Sequence, residues 1–184
     1  FNSLTQSVIT CSSVETAEMI KLVDNSSRDL LFAYSNEIAL ACDSIGVSAI
    51  EVINNGKLGY SRTNLAMPGP VGGPCLEKDS HILASSFSPL GIDMKLARAA
   101  RSVNEDLPYA TIKRLSSVYR ENNTTGYVSK IGVLGVAFKG FPETNDLRGS
   151  MAKPILHQAK YFFDCDNFAC FDPMVENDKI KELG

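Results

Sequence analysis

Residues 12–43 read SSVETAEMIKLVDNSSRDLLFAYSNEIALACD, and this stretch decides the fold because it contains neither glycine nor proline. Ser12 followed by Glu15 is typical of a capping box, which predicts that a helix begins there. Apolar residues then recur at helical spacing, at Ile20, Val23, Leu30, Leu31, Tyr34, Ile38 and Ala41. A helix of about 30 residues that ends at Gly46 is about 45 Å long. It needs partners along its length, and a subunit interface is the natural one.

Further helices are predicted up to residue 119. They share apolar residues at helical spacing and cover residues 48–54, 76–87, 94–104 and 108–119. Residues 55–56 and 58–59 are predicted turns, and the segment 60–74 has three prolines and three glycines, which exclude a regular element. Residues 1–120 are therefore predicted to form an all-helical domain.

The polar segment 121–126 is the predicted domain boundary, because the composition changes after it. The apolar run 131–136 favours a buried parallel strand. Residues 151–163 favour a helix with a proline in its first turn, and residues 168–171 a second strand. Strand, helix and strand form one βαβ unit. Residues 127–184 are therefore predicted to form an α/β domain that is incomplete, since two strands do not make a full sheet.

Composition excludes several classes of function. The net charge of −3 provides no basic surface for nucleic acid. No apolar run approaches the ~20 residues that a membrane span needs. The five cysteines form no C-x-x-C pair, and two histidines cannot complete a zinc-finger pattern, so no metal site is predicted. Irregularly spaced cysteines in odd number indicate a reduced, cytoplasmic environment.

Cys75 stands in the most informative stretch for chemistry, residues 69–79, which read GPVGGPCLEKD. Glycines and prolines place this cysteine at the start of a predicted helix, where free backbone N–H groups and the helix dipole favour a nucleophilic thiolate. Lys78 adds a positive charge, and Asp79, four residues on, is predicted to share a helix face with Cys75.

Each of these candidates has a simpler interpretation. Cys75 alone could be a buried structural cysteine after a turn. Gly72 and Gly73 favour a binding loop instead, because they let a ligand approach the backbone closely. Lys21 and Asn25 are spaced i, i+4 on one helix face, where a solvated surface pair is the alternative to a site.

Three segments in order resemble the UDP-glucose/GDP-mannose dehydrogenase family, whose members oxidise nucleotide sugars to uronic acids. VGGPCL-x-KD at residues 71–79 resembles the family's cysteine loop. AEMIKL-x-x-N at residues 17–25, followed by NEIA at 36–39, resembles its central helix. KI-x-VLG-x-AFK at residues 130–139, followed by DLR-x-S at 146–150, resembles the start of its C-terminal nucleotide-binding domain.

The resemblance implies a fold and a domain division. It implies an all-α central dimerisation domain with a long helix over residues 1–120, followed by an incomplete α/β Rossmann-like domain over residues 127–184 that binds the nucleotide sugar. The family's N-terminal NAD-binding domain is expected to be absent from this chain. No G-x-G-x-x-G occurs, and Gly132-x-x-Gly135 is too degenerate to replace it. NAD is therefore expected to be bound mainly outside this sequence.

The resemblance also implies roles for individual residues. The implied catalytic residues are Cys75, Lys21, Asn25 and Asp79, and Asp79 is expected either to assist proton transfer or to position the water with Lys21. The implied substrate-binding residues are Arg62, Gly72, Gly73 and Lys139, although an exposed loop arginine is an equal interpretation of Arg62. The implied cofactor-binding residues are Lys78 and Arg148.

The implied reaction is a double oxidation at the sugar C6. The alcohol is oxidised to an aldehyde, Cys75 adds to give a thiohemiacetal, a second oxidation gives a thioester, and water releases the uronate. Cysteine suits this sequence because it is a good nucleophile and a good leaving group. Lys21 and Asn25 are expected near the Cys75 sulfur, where they can stabilise an oxyanion.

Three functions remain open from the sequence. The first is a fragment of an NAD-dependent nucleotide-sugar 6-dehydrogenase acting as a homodimer; the others are a non-catalytic dimerisation module and a hydroxyacid-type dehydrogenase with a helical domain. The loop PGPVGG at residues 68–73 has one glycine fewer than the family's usual PGPGVGG. UDP-glucose, UDP-N-acetylhexosamines and GDP-mannose therefore all remain candidate substrates, with Pro74 favouring an N-acetylhexosamine.

Overall fold

The structure, a computed structural model, describes residues 4–5, 7–60, 64–123 and 127–183. Four helices come first: α1 Val14–Ser44, α2 Ala49–Lys57, α3 Asp79–Phe87 and α4 Lys95–Asn122, with a 3-10 turn at Ser88–Leu90. An α/β unit follows: β1 Ile131–Leu134, α5 Ala152–Phe163, β2 Phe168–Phe171 and α6 Asn177–Lys181. The strands pair in parallel, with Ile131 opposite Phe168. The predicted fold class, a helical region with a long helix before a small α/β unit, is confirmed.

The long helix α1 has 31 residues, close to the predicted length. Its N-cap is one residue later than predicted, because Ser13, not Ser12, accepts a hydrogen bond from the Thr16 backbone N–H at 3.2 Å. It ends before Gly46, whose φ of +72° is a left-handed conformation that glycine adopts readily.

The other helices differ from the prediction at their ends. Residues 94–104 and 108–119 were predicted as two helices, but both belong to α4, which continues through Pro108. Pro108 lacks a backbone N–H, which normally ends a helix. Here Asn104 and Pro108 are both fully buried, so tertiary packing holds the two halves in line. The predicted turn at residues 55–56 lies inside α2, and α6 was not predicted.

The face of α1 that packs inside this chain is polar. Five of its buried residues carry polar side chains: Asn25, Ser26, Asp29, Ser35 and Asn36. The apolar stripe points outward instead, with Ile20 56 %, Leu31 46 % and Tyr34 51 % exposed. The long helix therefore uses hydrogen bonds to hold its own chain and leaves its apolar face without a partner among the described residues.

A buried network around Asp29 joins α1 to α3 and α4. The Arg101 Nη1 donates to the Asp29 Oδ1 at 3.0 Å, and the Asn104 amide donates to the same oxygen at 2.7 Å. The Ser80 hydroxyl donates to the other oxygen, Oδ2, at 2.9 Å. These groups are all buried, so both charges have lost their hydration. The attraction between the carboxylate and the guanidinium offsets the cost of that desolvation.

The same network fixes the loop that contains Cys75. The Arg101 Nη1 also donates to the Leu76 carbonyl oxygen at 2.6 Å. Asn36 binds the Gly69 backbone twice, since its amide nitrogen donates to the Gly69 carbonyl at 3.1 Å and its oxygen accepts from the Gly69 N–H at 2.7 Å. Both ends of the segment 69–76 are therefore held by side chains of α1 and α4.

The α/β unit packs on α4 through aromatic residues. The Tyr109 and Phe162 rings lie 5.4 Å apart, and the Arg120 Nη2 donates to the Phe162 carbonyl oxygen at 2.7 Å. A small core of Val136, Ala152 and Val175 joins the strands to α5. The two predicted domains thus touch, while their division at residues 121–126 stays a prediction, because residues 124–126 lie outside the described ranges and α4 extends to Asn122.

Two classes of feature were searched for among the described residues. No helix there is long and apolar enough to cross a membrane. No group of three or more histidine, cysteine, aspartate or glutamate side chains there could hold a metal ion.

The Asp29 network predicts a large stability effect. Asp29→Asn leaves the buried Arg101 charge without its carboxylate, and this should lower the free energy of unfolding by about 3 kcal/mol. The matched control on the same helix is Asp43→Asn, because Asp43 forms an exposed ion pair with Arg114. That change should leave the urea denaturation midpoint nearly unchanged. Equal midpoints for the two variants would show that the network does not stabilise the fold.

Candidate active site

A cleft of about 360 Å³ opens between α1, the cysteine loop and the segment after β1. Three kinds of residue line it. Helix α1 contributes Asn25, Arg28 and Phe32; the loop contributes residues 70–76; the segment after β1 contributes Phe138, Lys139 and Phe141. The cleft therefore joins residues from both predicted domains.

Cys75 lies in this cleft and is exposed. It was predicted at the start of a helix, but α3 begins only at Asp79, and Cys75 stands in the turn before it. The Cys75 carbonyl accepts the backbone N–H groups of Lys78 and Asp79, at 3.2 and 2.9 Å. The expectation that Cys75 shares a helix face with Asp79 is wrong, because Asp79 is fully buried beneath the turn while the thiol faces solvent.

Three of the predicted site residues contact the carboxylate of Asp79. The Asn25 amide donates to its Oδ2 at 2.7 Å, and the Lys21 ammonium lies 3.5 Å from the same oxygen. The Lys78 ammonium donates to its Oδ1 at 3.0 Å. Burial alone would raise the pKa of Asp79, but the hydrogen bonds from Lys78 and Asn25 and the charges of Lys78 and Lys21 outweigh it and hold the pKa below its usual value.

Lys21 and Asn25 differ in how they reach the cleft. Asn25 is buried, lines the cleft and contacts Asp79. Lys21 is held by Asp79 but is 58 % exposed and is not among the residues that line the cleft. Lys21 therefore lies one turn of helix before Asn25 and contacts Asp79, and its predicted approach to the Cys75 sulfur stays a prediction.

Gly72 and Gly73 pack against the α/β unit. The Gly73 N–H donates to the Gly149 carbonyl oxygen at 2.8 Å, and a Cβ on Gly72 would lie 2.2 Å from the same oxygen. A Cβ on Gly73 would lie 2.6 Å from the Phe138 ring. Gly149, at φ +62°, faces Gly73 in turn. Gly72 and Gly73 line the cleft. The backbone that approaches them closely is a segment of their own chain, at Gly149.

The segment after β1 is fixed by a carboxylate at the end of β2. Asp172 accepts the backbone N–H groups of Val136 and Ala137 at 2.8 and 2.9 Å. Burial opposes the charge of Asp172, but these backbone bonds keep its pKa below the usual value. Lys139 follows at once, with its ammonium 5.3 Å from the centre of the Phe138 ring. Lys139 thus lies at the carboxyl end of a parallel strand, where ligands of α/β sheets bind.

Arg148 forms a forked ion pair with Asp146 near the cleft. Its Nε and Nη2 donate to the Asp146 carboxylate at 3.1 and 2.7 Å. The hydrogen bonds from Arg148 lower the pKa of Asp146 to about 2. The same pair raises the pKa of Arg148.

The structure brings most predicted site residues together. Five of them line the cleft: Asn25, Gly72, Gly73, Cys75 and Lys139. Three adjoin it through ion pairs: Lys21, Lys78 and Asp79. Arg148 does not line the cleft, and Arg62 lies outside the described residues.

The sequence did not single out Arg28, Phe32 or Phe141 as cleft residues, nor the supporting residues Asp29, Arg101 and Asn104. One signal was available: Asn25, Asp29 and Asn36 recur on one side of α1 at intervals of four and seven residues. That spacing is a helical stripe of polar residues, which can indicate a buried polar face as well as a solvated one.

The model of the UDP-glucose/GDP-mannose dehydrogenase family, central domain, matches residues 15–106, which is half of the chain. The chain belongs to this family. The matched segment contains α1, the cysteine loop and the first part of α4, so the family's central domain coincides with the helical region that carries Cys75 and Asp79.

Individual dehydrogenases of the family agree with this. UDP-N-acetyl-D-mannosamine dehydrogenase of Methanococcus maripaludis is 35 % identical over 161 residues, covering 85 % of this chain and 35 % of that protein. The Escherichia coli enzyme of the same name is 34 % identical over 145 residues, covering 76 % and 33 %. The chain thus spans about a third of the length of the curated relatives that it matches.

Solved structures of the family share the fold. The UDP-D-ManNAc dehydrogenase of Pyrococcus horikoshii has a TM-score of 0.74 at 32 % identity, over 95 % of this chain and 40 % of that one. The UDP-glucose dehydrogenase of Pyrobaculum islandicum has a TM-score of 0.69 at 27 % identity, over 92 % and 38 %.

The glycine contact predicts an effect beyond backbone strain. Gly149→Ala puts a methyl group 2.8 Å from the Gly73 carbonyl carbon, whereas Gly59→Ala at a similar φ of +69° meets nothing within 4 Å. Both changes cost about 1 kcal/mol for the left-handed conformation. Gly149→Ala should cost at least about 1 kcal/mol more, because the loop must move. Equal losses in thermal denaturation would mean that the contact between the loops is not tight.

Proposed function

We propose that this chain is the central domain and the beginning of the C-terminal domain of an NAD-dependent nucleotide-sugar 6-dehydrogenase. The reaction is oxidation of the C6 alcohol of a UDP-sugar to the uronic acid. The observation that carries the proposal is the exposed Cys75 thiol in a cleft whose wall includes Asn25, which is itself hydrogen-bonded to Asp79. A nucleophile beside amide and ammonium groups suits attack on an aldehyde.

Cys75 carries the covalent chemistry. Its thiolate adds to the C6 aldehyde, which forms a C–S bond and an oxyanion that takes a proton to give the thiohemiacetal. Loss of hydride and a proton from this adduct leaves a thioester. Water then adds to the thioester carbon, and the C–S bond breaks to release the carboxylate and the thiol. The second N–H of the Asn25 amide and the Lys21 ammonium are proposed to stabilise the oxyanions.

Asp79 orients these groups and stays ionised. Its two oxygens accept from Asn25, Lys21 and Lys78, and its lowered pKa keeps it a carboxylate at neutral pH. A buried ionised carboxylate holds the amide and the ammonium in place and is a poor proton donor. Asp79 is therefore proposed to position Asn25 and Lys21, while the attacking water gives up its proton to solvent.

The charge of the cleft suits an anionic substrate. Its described lining contains two cations, Arg28 and Lys139, and no carboxylate, together with the rings of Phe32, Phe138 and Phe141. A nucleotide diphosphate sugar supplies negative charge and flat apolar faces that match such a lining. We propose a UDP-N-acetylhexosamine as the substrate, in agreement with the relatives named above, and UDP-glucose and GDP-mannose as the alternatives. Arg62 and the glycines of the loop complete the proposed substrate site.

NAD fits the described residues as a partner held mainly elsewhere. Lys78 and Arg148 have side chains 54 % and 77 % exposed, so both can face a negatively charged dinucleotide without burying a charge. NAD, when bound, supplies the hydride acceptor for both oxidations. Lys78 and Arg148 are proposed to bind it, and an NAD-binding domain in another part of the protein is proposed to bind most of it.

The whole protein is proposed to be a homodimer in the cytoplasm. The outward apolar stripe of α1 repeats at helical spacing and has no partner among the described residues. Two-fold pairing of two such helices buries the stripe on both copies. The same stripe is the observation that favours the alternative function, a non-catalytic assembly module in which Cys75 is incidental.

Cys75→Ser tests the chemistry. In the full-length protein this variant should bind UDP-sugar normally but lose uronate formation about a thousandfold or more, because a hydroxyl near neutral pH is a far weaker nucleophile than a thiolate. NADH formation and quenched-flow mass spectrometry for a thioester on Cys75 are the measurements. Cys11→Ser is the control, since Cys11 lies outside the cleft. Full activity of Cys75→Ser would favour the assembly module.

Leu31→Glu tests the assembly. A charge in the middle of the exposed stripe should convert the dimer to a monomer in light scattering, because an unpaired carboxylate is costly in an apolar interface. Leu96→Glu is the control, since Leu96 is also an exposed leucine, at 69 %, but lies on α4. A wild-type protein that is monomeric at micromolar concentration, or a Leu31→Glu variant that stays dimeric, would contradict pairing through α1.

A further inference from the structure

Arg28 is unusual among the arginines of the described residues because it has no partner there. Every other described arginine forms an ion pair or a hydrogen bond: Arg98 with Asp93, Arg101 with Asp29, Arg114 with Asp43, Arg120 with the Phe162 carbonyl, and Arg148 with Asp146. Arg28 is exposed, lines the Cys75 cleft, and shares that lining with no carboxylate. Its five N–H donors are therefore available to a ligand in the cleft.

Arg28 lies on one stripe of α1 with Asn25 and Phe32. All three line the cleft, at positions i, i+3 and i+7 of one helix. By the rise of the α-helix, Arg28 is about 4.5 Å and Phe32 about 10.5 Å along the axis from Asn25. The stripe therefore presents an amide, then a guanidinium, then an aromatic ring along one wall of the cleft.

This order matches the substituents of an acetamido sugar. In the proposed reaction C6 lies at Cys75 and Asn25, and the C2 substituent lies across the ring from C6. An acetamido group at C2 offers a carbonyl oxygen and, beyond it, a methyl group. We infer that Arg28 and Phe32 determine substrate specificity: Arg28 donates to the acetyl oxygen and Phe32 packs on the methyl. This inference deepens the proposed function and rests on it.

The diphosphate is better placed on the opposite wall. It leaves the sugar at C1 and leads to the nucleotide, and the α/β unit provides Lys139 at the carboxyl end of β1, where such ligands bind. Arg28 belongs to α1, beside the residue that contacts the reacting carbon. In this inference the guanidinium lies beside the sugar, and its N–H groups can donate to a carbonyl oxygen.

The test compares two substrates in the full-length protein. The probes are UDP-N-acetyl-D-mannosamine and UDP-glucose for kcat/KM, and UDP alone for affinity by calorimetry. Arg28→Met and Phe32→Ala are the variants, with Arg114→Met as the control because Arg114 lies outside the cleft. Circular dichroism melting checks that each variant folds, and Arg28→Lys provides a second variant that keeps the charge.

Arg28→Met should lower the ratio of kcat/KM for the acetamido sugar over UDP-glucose by about 10- to 100-fold, as expected for loss of a hydrogen bond to a charged group. Phe32→Ala should lower the same ratio, UDP affinity should change less than twofold, and Arg28→Lys should recover part of the ratio. An unchanged ratio of kcat/KM for the two sugars in Arg28→Met overturns the inference. Equal losses of UDP affinity and of kcat/KM for both sugars also overturn it, because they would identify Arg28 as a diphosphate ligand. A wild-type protein that oxidises only UDP-glucose overturns it while the dehydrogenase proposal stands; one that oxidises no nucleotide sugar overturns both.

Discussion

The ion pair between Asp29 and Arg101 is the interaction on which the rest of the structure depends. It is buried, it joins α1 to α4, and the same guanidinium holds the Leu76 carbonyl next to Cys75. A buried ion pair of this kind stabilises the folded state little more than a well-packed apolar pair would. Removing one partner is costly, however, because the other charge is then buried without compensation. It therefore specifies one arrangement of the helices, and with it one position of the cysteine loop.

The sequence predicted the elements well where the signal was local. The length of α1 and the order β1, α5, β2 followed from periodicity and from breaks by glycine and proline. Local rules failed where distant contacts outweighed them. Pro108 predicts a helix start, but buried packing keeps α4 continuous through it. The turn at Cys75 likewise places the start of α3 at Asp79, later than predicted. Residues that meet across 72 positions, as Asp29 and Arg101 do, leave no pattern in a single sequence.

The candidate site was predictable to a similar extent. Cys75, Lys21, Asn25 and Asp79 were identified through the family's motifs, and the structure brings Lys21 and Asn25 to the Asp79 carboxylate. Arg28 was missed, since an arginine on a helix is usually solvated. Its significance becomes visible only from the cleft, whose described lining contains no carboxylate.

The contact of Gly72 and Gly73 with Gly149 has a consequence for how such a protein can evolve. Gly72, Gly73 and Gly149 approach one another through backbone atoms, so these three positions accept no larger residue unless the loop that carries the nucleophile moves. Arg28, Phe32 and Phe141 line the cleft but do not belong to this glycine contact. Each of them can therefore be substituted singly. A lineage can then change the sugar that it accepts while the reacting sulfur keeps its place.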